Sequence, residues 1–201
     1  MKRRLLIISL VLTLALSVSA PAAALAYEEF DAPFHCEGVI NAFEPTIIGE
    51  NVFPQPDGTW WVDDREIWGT FDSGDITGPF TLTYDAIIDS PWTQVGTFWG
   101  TIVACNDAND EDEDSRIFEV TGSLEPAEII PGDPLMIKVT VNGQWSLIED
   151  DEVYGIGDLE GWAIFIPDWI GGEPHVGEIV DSAFDLTGYW NNQGDGDGNS
   201  Q

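Results

Sequence analysis

The feature that most constrains the fold of this chain is a period-two alternation of apolar and polar residues. Between residues 135 and 147 the odd positions read Leu, Ile, Val, Val, Gly, Trp, Leu, whereas the even positions are mostly polar. The same pattern places Phe80 and Leu82 on one side of a segment and Thr81 and Thr83 on the other. This period is typical of a strand with one buried face. No segment after residue 26 keeps a helical period over three turns, so the sequence predicts an all-β, antiparallel fold.

Eight segments carry this alternation, with turns rich in Gly, Pro, Asp and Ser between them. They are 34–43, 59–71, 78–88, 95–105, 116–124, 135–148, 153–166 and 175–190. Several contain a glycine near a large aromatic residue, such as Gly69 near Phe71, and such glycines favour bends that let a sheet curl. We predict a single antiparallel meander that forms a closed or partly open β-barrel of about eight strands, with a two-sheet β-sandwich as the alternative.

If successive strands alternate in direction, successive loops lie at opposite ends of the sheet. One end then collects clustered carboxylates in the loops 72–77, 106–115 and 149–152. The other end collects tryptophans and most of the prolines in the loops 89–94, 125–134 and 167–174. The sequence therefore predicts two ends of different chemistry.

The N-terminal segment has the parts of a secretory signal peptide. Basic residues at positions 2–4 precede an apolar run from Leu5 to Val18, and Ala24-Leu25-Ala26 offers small residues for cleavage. An uncleaved membrane anchor is the alternative, but the run is short for a bilayer and Pro21 interrupts its end. We predict secretion or cell-surface location by Sec-type export. The predicted division is signal peptide 1–26, all-β domain 27–190 and disordered Gly/Asp/Asn tail 191–201.

The charge balance excludes two classes of partner. The 201 residues contain 37 Asp and Glu against 6 Lys and Arg, for a formal net charge of −31. Nucleic acids and anionic membrane surfaces are bound largely through Lys and Arg, so neither is expected as a partner. The hydrophobic fraction of 43% is too high for a disordered chain. Adaptation to a salt-rich environment is an alternative reason for the acidity.

Two cysteines, Cys36 and Cys105, are present. Cysteines of an exported chain can pair, and a bridge here would close a loop of about 70 residues and stabilise the fold by roughly 3–4 kcal/mol. Alternating strands would place both cysteines at the acidic end. We predict a Cys36–Cys105 disulfide, with two buried free thiols as the alternative.

The acidic loop 106–115 is a candidate cation site. Its oxygen ligands suit Ca²⁺, which tolerates irregular coordination. The candidate ligands are Asp107, Asp110, Asp112 and Asp114. The loop lacks the Gly and Glu that an EF-hand carries at its sixth and twelfth positions, so a solvated loop is the alternative. Ca²⁺ is the one cofactor that the sequence suggests.

The nine tryptophans are the main candidates for ligand binding. Trp60 and Trp61 are adjacent and must face opposite sides of a strand, while Trp92 and Trp169 fall in turns. Exposed indoles stack on sugar rings and apolar ligands, and neighbouring polar groups orient those ligands. The alternative is that tryptophans cover the core and close the ends of the barrel.

Catalytic motifs are missing from the sequence. It has two histidines and no nucleophile elbow, zinc-protease motif or phosphate-binding glycine loop. We assign no catalytic residue and lean against an enzyme. The leading hypothesis is an exported, non-catalytic binding module for carbohydrate or another extracellular surface component, with structural Ca²⁺ as an option.

Residues 186–191, Leu-Thr-Gly-Tyr-Trp-Asn, resemble the opening strand of avidin-type barrels. The repeated Gly-x-aromatic strands are similar to those of lipocalin-like and dirigent-like barrels. This similarity implies a second hypothesis, a barrel that binds or isomerises a small apolar ligand, with room beside small residues such as Gly100, Gly157 and Gly161. A structural, envelope-associated subunit is the third hypothesis.

Overall fold

Ten β-strands make up 79% of the described chain. The computed structural model describes residues 30, 32–45, 47–91, 94–105, 115–149, 152–170 and 173–191, with the backbone alone at 168–170 and 173–176. The strands are Ala32–Phe43 (β1), Val52–Pro54 (β2), Trp60–Gly74 (β3), Gly78–Ile88 (β4), Gly96–Cys105 (β5), Ser115–Leu124 (β6), Glu128–Ile130 (β7), Met136–Glu149 (β8), Glu152–Ile170 (β9) and Glu173–Trp190 (β10). These residues contain no helix and hence no helical membrane span.

Eight of the strands close into an antiparallel barrel, as predicted. Each barrel strand pairs with the next along the chain, and β1 pairs with both β3 and β10. The short strands β2 and β7 lie outside this ring, where β2 pairs with β3 and β7 pairs with β8. The closed ring confirms the barrel and leaves no two-sheet sandwich.

The strand directions give the barrel two distinct ends. The lower end contains Ala32 and Trp190, which pair where β1 meets β10. The turns from β3 to β4 and from β8 to β9 also lie at this end, and β5 ends there. The upper end contains the connections from β1 to β3, β4 to β5 and β9 to β10. This arrangement confirms the predicted alternation of loops.

Aromatic rings fill the lower half of the barrel. The ring of Phe34 lies 4.9 Å from that of Trp145 and 5.1 Å from that of Trp190, measured between centroids. Phe80 and Phe184 stack at 5.0 Å further up. These side chains are large and pack closely, so the lower end of the barrel is sealed.

The space predicted beside two inward glycines is occupied. A Cβ atom on Gly157 would lie 2.7 Å from the Trp145 indole, and one on Gly161 would lie 2.8 Å from Phe184. The glycines therefore make room for aromatic rings of the protein itself. A Cβ on Gly157 would also collide with the Thr187 carbonyl oxygen, and at Gly100 the obstacle is likewise backbone, because its Cβ would lie 2.7 Å from the Tyr84 Cα of the neighbouring strand. At that point β4 and β5 approach too closely for any side chain.

A β-bulge in β3 changes which residues enter the barrel. The pairing of β3 with β4 shifts between Val62 and Arg65, and both of these side chains are buried. Asp64, within the bulge, has a φ of 46°, and its N–H donates to the Asp85 carboxylate at 3.1 Å. The extra residue brings Arg65 to the interior, whereas uninterrupted alternation from Val62 would place it outside.

The predicted Cys36–Cys105 disulfide is wrong, since both cysteines are free. Cys36 is buried on β1, where its Sγ accepts a hydrogen bond from the Ile76 N–H at 3.2 Å. Cys105 is exposed because Ala104, its neighbour on β5, points inward. The strands β3 and β4 separate β1 from β5. Sharing one end of the barrel therefore does not bring the two sulfur atoms together.

Candidate functional site

The two adjacent tryptophans of β3 face opposite ways, as strand geometry requires. Trp60 packs against the hydrophobic core, and Trp61 lies on the outer surface with 39% of its area exposed. Of the other predicted ligand-binding residues, Trp92 lies outside the described residues. Trp169 belongs to β9, but its side chain is not described. Trp61 is therefore the predicted binding residue that the structure places on an accessible face.

A second exposed indole, Trp99, lies near Trp61 and was missed in the sequence. Trp99 is 42% exposed on β5, and the intervening β4 contributes Ile87, which is 45% exposed. Trp61 pairs with Ile87, and Trp99 pairs with Asp85, which lies two residues before Ile87 on β4. Strand spacing and rise place the Cα atoms of the two tryptophans about 12 Å apart. Trp61, Ile87 and Trp99 form what we call the tryptophan face.

A surface depression adjoins the tryptophan face at the turn between β2 and β3. It is lined by Gln55, Pro56, Asp57, Thr59, Trp61, Ile87 and Trp99. Asp57 accepts hydrogen bonds from the Thr59 hydroxyl at 2.7 Å and from the Thr59 N–H at 3.0 Å. These bonds, the hydroxyl first, lower the pKa of Asp57. The turn thus holds a fixed carboxylate acceptor beside the indoles.

The strand β2 supports Trp61 from its far side. Phe53 is opposite Trp61 in the β2–β3 pairing, and the two ring centroids are 6.2 Å apart. This contact limits the rotamers open to the Trp61 side chain. An aromatic side chain held in one orientation loses less conformational entropy when a ligand stacks on it.

A second depression continues from Trp99 across the outer surface of the barrel. Its polar lining is supplied by Asp64, Thr83, Asp85, Thr101, Glu119, Thr121, Gln144 and Ser146. Its volume is about 560 Å³, and Trp99 borders both depressions. We call the two together the lateral groove. It combines flat apolar surfaces with many hydroxyl, amide and carboxylate groups.

The lateral groove carries negative charge. Asp57, Asp64, Asp85 and Glu119 line it, and none of its lining residues is Lys or Arg. Such a surface repels anions and offers hydrogen-bond acceptors. It suits ligands that are uncharged and rich in hydroxyl groups.

The interior of the barrel offers much less space than the groove. Its upper half contains a cavity of about 40 Å³, bordered by Arg65, Tyr84 and apolar side chains. Pockets for small organic ligands hold roughly 300–1,000 Å³. The lower half is filled by aromatic rings. Among the described residues, this interior cavity has no room for a whole ligand of that size.

The residues predicted to bind Ca²⁺, Asp107, Asp110, Asp112 and Asp114, lie outside the described residues. Within the described part, a different set of potential ligands meets on the outer surface near the lower end. The ligand atoms of His35, Glu37 and Asp185 lie within 4.8 Å of one another. Burial, followed by the charge of Glu37, raises the pKa of Asp185. This crowding could be relieved by a cation or by protonation.

No model of a protein family, no curated protein and no solved structure significantly matches this chain. The lateral groove is therefore the feature of this protein that points to a function.

Proposed function

We propose that this protein is an exported, non-catalytic module that binds uncharged carbohydrate in the lateral groove. Trp61 and Trp99 are the stacking platforms in this proposal. Acceptors and donors from the turn before β3 and from the outer faces of β4, β5, β6 and β8 orient the sugar hydroxyls. Structural Ca²⁺ in the acidic loop is a separate part of the proposal.

The observation that supports this most directly is the exposure of two indoles on adjoining parts of one groove. Trp61 and Trp99 are 39% and 42% exposed, although burying an aromatic ring is strongly favourable. Their separation of about 12 Å exceeds one sugar ring, so an oligosaccharide could stack on both. Aromatic residues in this setting commonly supply most of the binding energy of an interface.

The charge of the groove favours an uncharged glycan over an anionic one. Uronic acids and sulfated sugars would meet the carboxylates of Asp57, Asp64, Asp85 and Glu119. Like charges at short range oppose binding and slow association. Neutral hexose and N-acetylhexosamine chains avoid this repulsion and present hydroxyls to the carboxylates.

The third hypothesis, a structural envelope subunit, has less support. Assembly through strand addition uses a long unpaired edge. In the described part of the chain the barrel closes on itself, and the outlying strands β2 and β7 have three residues each. These edges offer few backbone groups to a partner.

The proposal can be tested by measuring binding of neutral and anionic polysaccharides to the purified protein. Titration calorimetry with the best neutral oligosaccharide then gives the Kd for wild type, Trp61→Ala and Trp99→Ala. We expect each substitution to raise the Kd about tenfold or more, as a hot-spot residue does. The double variant should show no measurable binding.

Trp68→Ala is a matched control. Trp68 lies on β3 and is 37% exposed, but it does not line the lateral groove. Its replacement should leave the Kd unchanged. A double Trp61→Ala/Trp99→Ala variant that keeps the wild-type fold and affinity would refute this site, and so would preferential binding of anionic glycans.

A further inference from the structure

A buried arginine lies in the upper half of the barrel, on the inner side of the sheet whose outer side carries the lateral groove. Only 4% of Arg65 is exposed, and it is the buried charged residue among the described side chains. It borders the interior cavity of about 40 Å³ and a second one of about 10 Å³. Tyr84 and Gln94 border both cavities as well. The guanidinium of Arg65 and the polar side chains of Tyr84 and Gln94 therefore line the same two internal cavities.

The guanidinium of Arg65 is held in place but is not fully paired. Its Nε donates to the Glu44 carbonyl oxygen at 3.0 Å, and its Nη1 donates to the Tyr84 hydroxyl at 3.2 Å. Its Nη2 is buried and has no hydrogen-bond partner. The contacts between basic and acidic side chains found among the described residues are Arg116–Glu149 and His35–Glu37, the latter an ion pair only when the imidazole is protonated, so Arg65 has no carboxylate partner there.

This arrangement is costly unless something else occupies the cavity. A buried charge without a counter-ion loses hydration, and a buried donor without an acceptor is destabilising. A hydrophobic residue at this position would avoid both costs. The bulge at Asp64 instead directs an arginine inward and positions it with two hydrogen bonds. A guanidinium that is held by two hydrogen bonds and borders a cavity with one donor unpaired is suited to binding an anion.

We propose that Arg65 binds the carboxylate group of a small organic acid inside the barrel. Guanidinium pairs well with carboxylate because both are planar and can form two parallel hydrogen bonds. A cavity of about 40 Å³ has room for roughly three water-sized groups, which matches a carboxylate and little more. The Tyr84 hydroxyl can donate to the same carboxylate while it accepts from Arg65.

The apolar walls of the cavity define the rest of the ligand. They include Ile67, Leu82, Phe98, Leu124, Val141 and Phe184. These side chains favour an alkyl group over a second polar group. Two sources of the carboxylate fit this chemistry: a short free acid such as acetate, or the head of a longer aliphatic acid whose tail extends to the upper end.

The test measures thermal unfolding of the full chain with sodium acetate and sodium octanoate. Each is compared with sodium chloride of equal ionic strength and with the corresponding uncharged amide. A ligand at about a hundred times its Kd should raise the Tm by roughly 5–10 °C. A larger effect of acetate identifies the free short acid, and a larger effect of octanoate identifies the longer acid.

Arg65→Met and Lys138→Met separate binding from general charge effects. Arg65→Met removes the buried cation, although it also takes a donor from the Glu44 carbonyl oxygen and from the Tyr84 hydroxyl. Once circular dichroism shows that this variant keeps the wild-type fold, it should lose the response to carboxylates. Lys138→Met removes a cation that lies over the Trp162 ring and should keep the response. Tyr84→Phe should weaken binding several-fold.

Three results would overturn this proposal. They are equal Tm shifts in wild type and Arg65→Met, equal shifts from carboxylates and their amides, and equal shifts from carboxylates and chloride. Because Arg65 is inside the barrel and the lateral groove is outside, these results are independent of carbohydrate binding.

Discussion

At the scale of single residues, burial separates the chemistry of the two cysteines. Burial raises the pKa of the Cys36 thiol to about 11, and the Ile76 N–H donates to its sulfur. A thiol is reactive as the thiolate, so Cys36 is unreactive at neutral pH in the folded protein. Cys105 is exposed at the end of β5.

We therefore expect alkylating reagents to label Cys105 in the native protein and Cys36 only after unfolding. Mass spectrometry under non-reducing conditions, with and without denaturant, measures this directly. Cys105→Ser is the control and should abolish native labelling. Recovery of an unlabelled, covalently bridged peptide pair would contradict the free thiols.

Asp185 gives a second prediction at this scale. Burial, followed by repulsion from Glu37, raises its pKa above the ordinary value of 3.8. A raised pKa means that the folded state binds this proton more tightly than the unfolded state does. Protonation of Asp185 therefore stabilises the fold in acid, and this stabilisation is lost as the pH rises through the raised pKa. Asp185→Asn should therefore raise the Tm by about 1–2 °C at neutral pH, with the gain vanishing in acid.

Scanning calorimetry from acid to neutral pH checks this prediction. Glu178→Gln, an exposed substitution on the same strand, should show no comparable gain at neutral pH. An Asp185→Asn variant that is less stable than wild type at every pH would show that the carboxylate has a favourable partner.

At the scale of elements, the contact between β4 and β5 depends on Gly100. A Cβ atom at this position would collide with the Thr83 carbonyl oxygen and with Tyr84. Gly100→Ala should destabilise the protein by about 1–3 kcal/mol, because the two strands must separate to accept a methyl group. The corresponding fall in Tm, roughly 2–12 °C, can be measured by circular dichroism.

Thr97→Ala, an exposed substitution on the same strand, is the control and should change the Tm little. If Gly100→Ala is as stable as wild type, the strands at this point are further apart than we describe.

The eight barrel strands could be predicted because apolar and polar residues alternate along most of their length, whereas β2 and β7, with three residues each, are too short to show a period. The bulge at Asp63 and Asp64 was missed, since two adjacent acidic residues are also typical of an ordinary exposed stretch of strand. A signal for it exists: Ile67 and Phe71 share odd-numbered positions with Arg65, whereas Val62 does not. Trp99 could have been found in the same way, because its neighbours Phe98 and Gly100 occupy the inward phase of β5.

Contacts between side chains of different strands were harder to predict, because they depend on whether each side chain points into or out of the barrel. The disulfide prediction used the correct end of the barrel for both cysteines but ignored that Cys105 points outward. The amount of free space inside the barrel could not be predicted either. The identity of a residue as glycine does not show whether a neighbouring ring, such as that of Trp145 beside Gly157, fills the space.

At the scale of the whole molecule, the formal charge of −31 opposes the compact state. Salt should therefore raise the Tm by screening, and a bound cation should add to this. We expect millimolar CaCl₂ to raise the Tm beyond NaCl of equal ionic strength, as measured by differential scanning fluorimetry.

Two variants separate the possible cation sites. Asp110→Asn/Asp112→Asn should remove the extra effect of Ca²⁺ if the acidic loop binds it, and His35→Ala should preserve that effect. Identical responses to CaCl₂ and NaCl in wild type would leave screening as the whole explanation.

The pairing of β1 with β10 has a consequence for how the protein reaches its native state. This seam joins Ala32 to Trp190, so the ring needs segments that are more than 150 positions apart in the chain. Contacts of such long range form slowly, and until they form β1 and β9 each present an open edge to other chains. A shortened chain that lacks β10 should therefore self-associate during synthesis, even though it keeps the residues of the lateral groove.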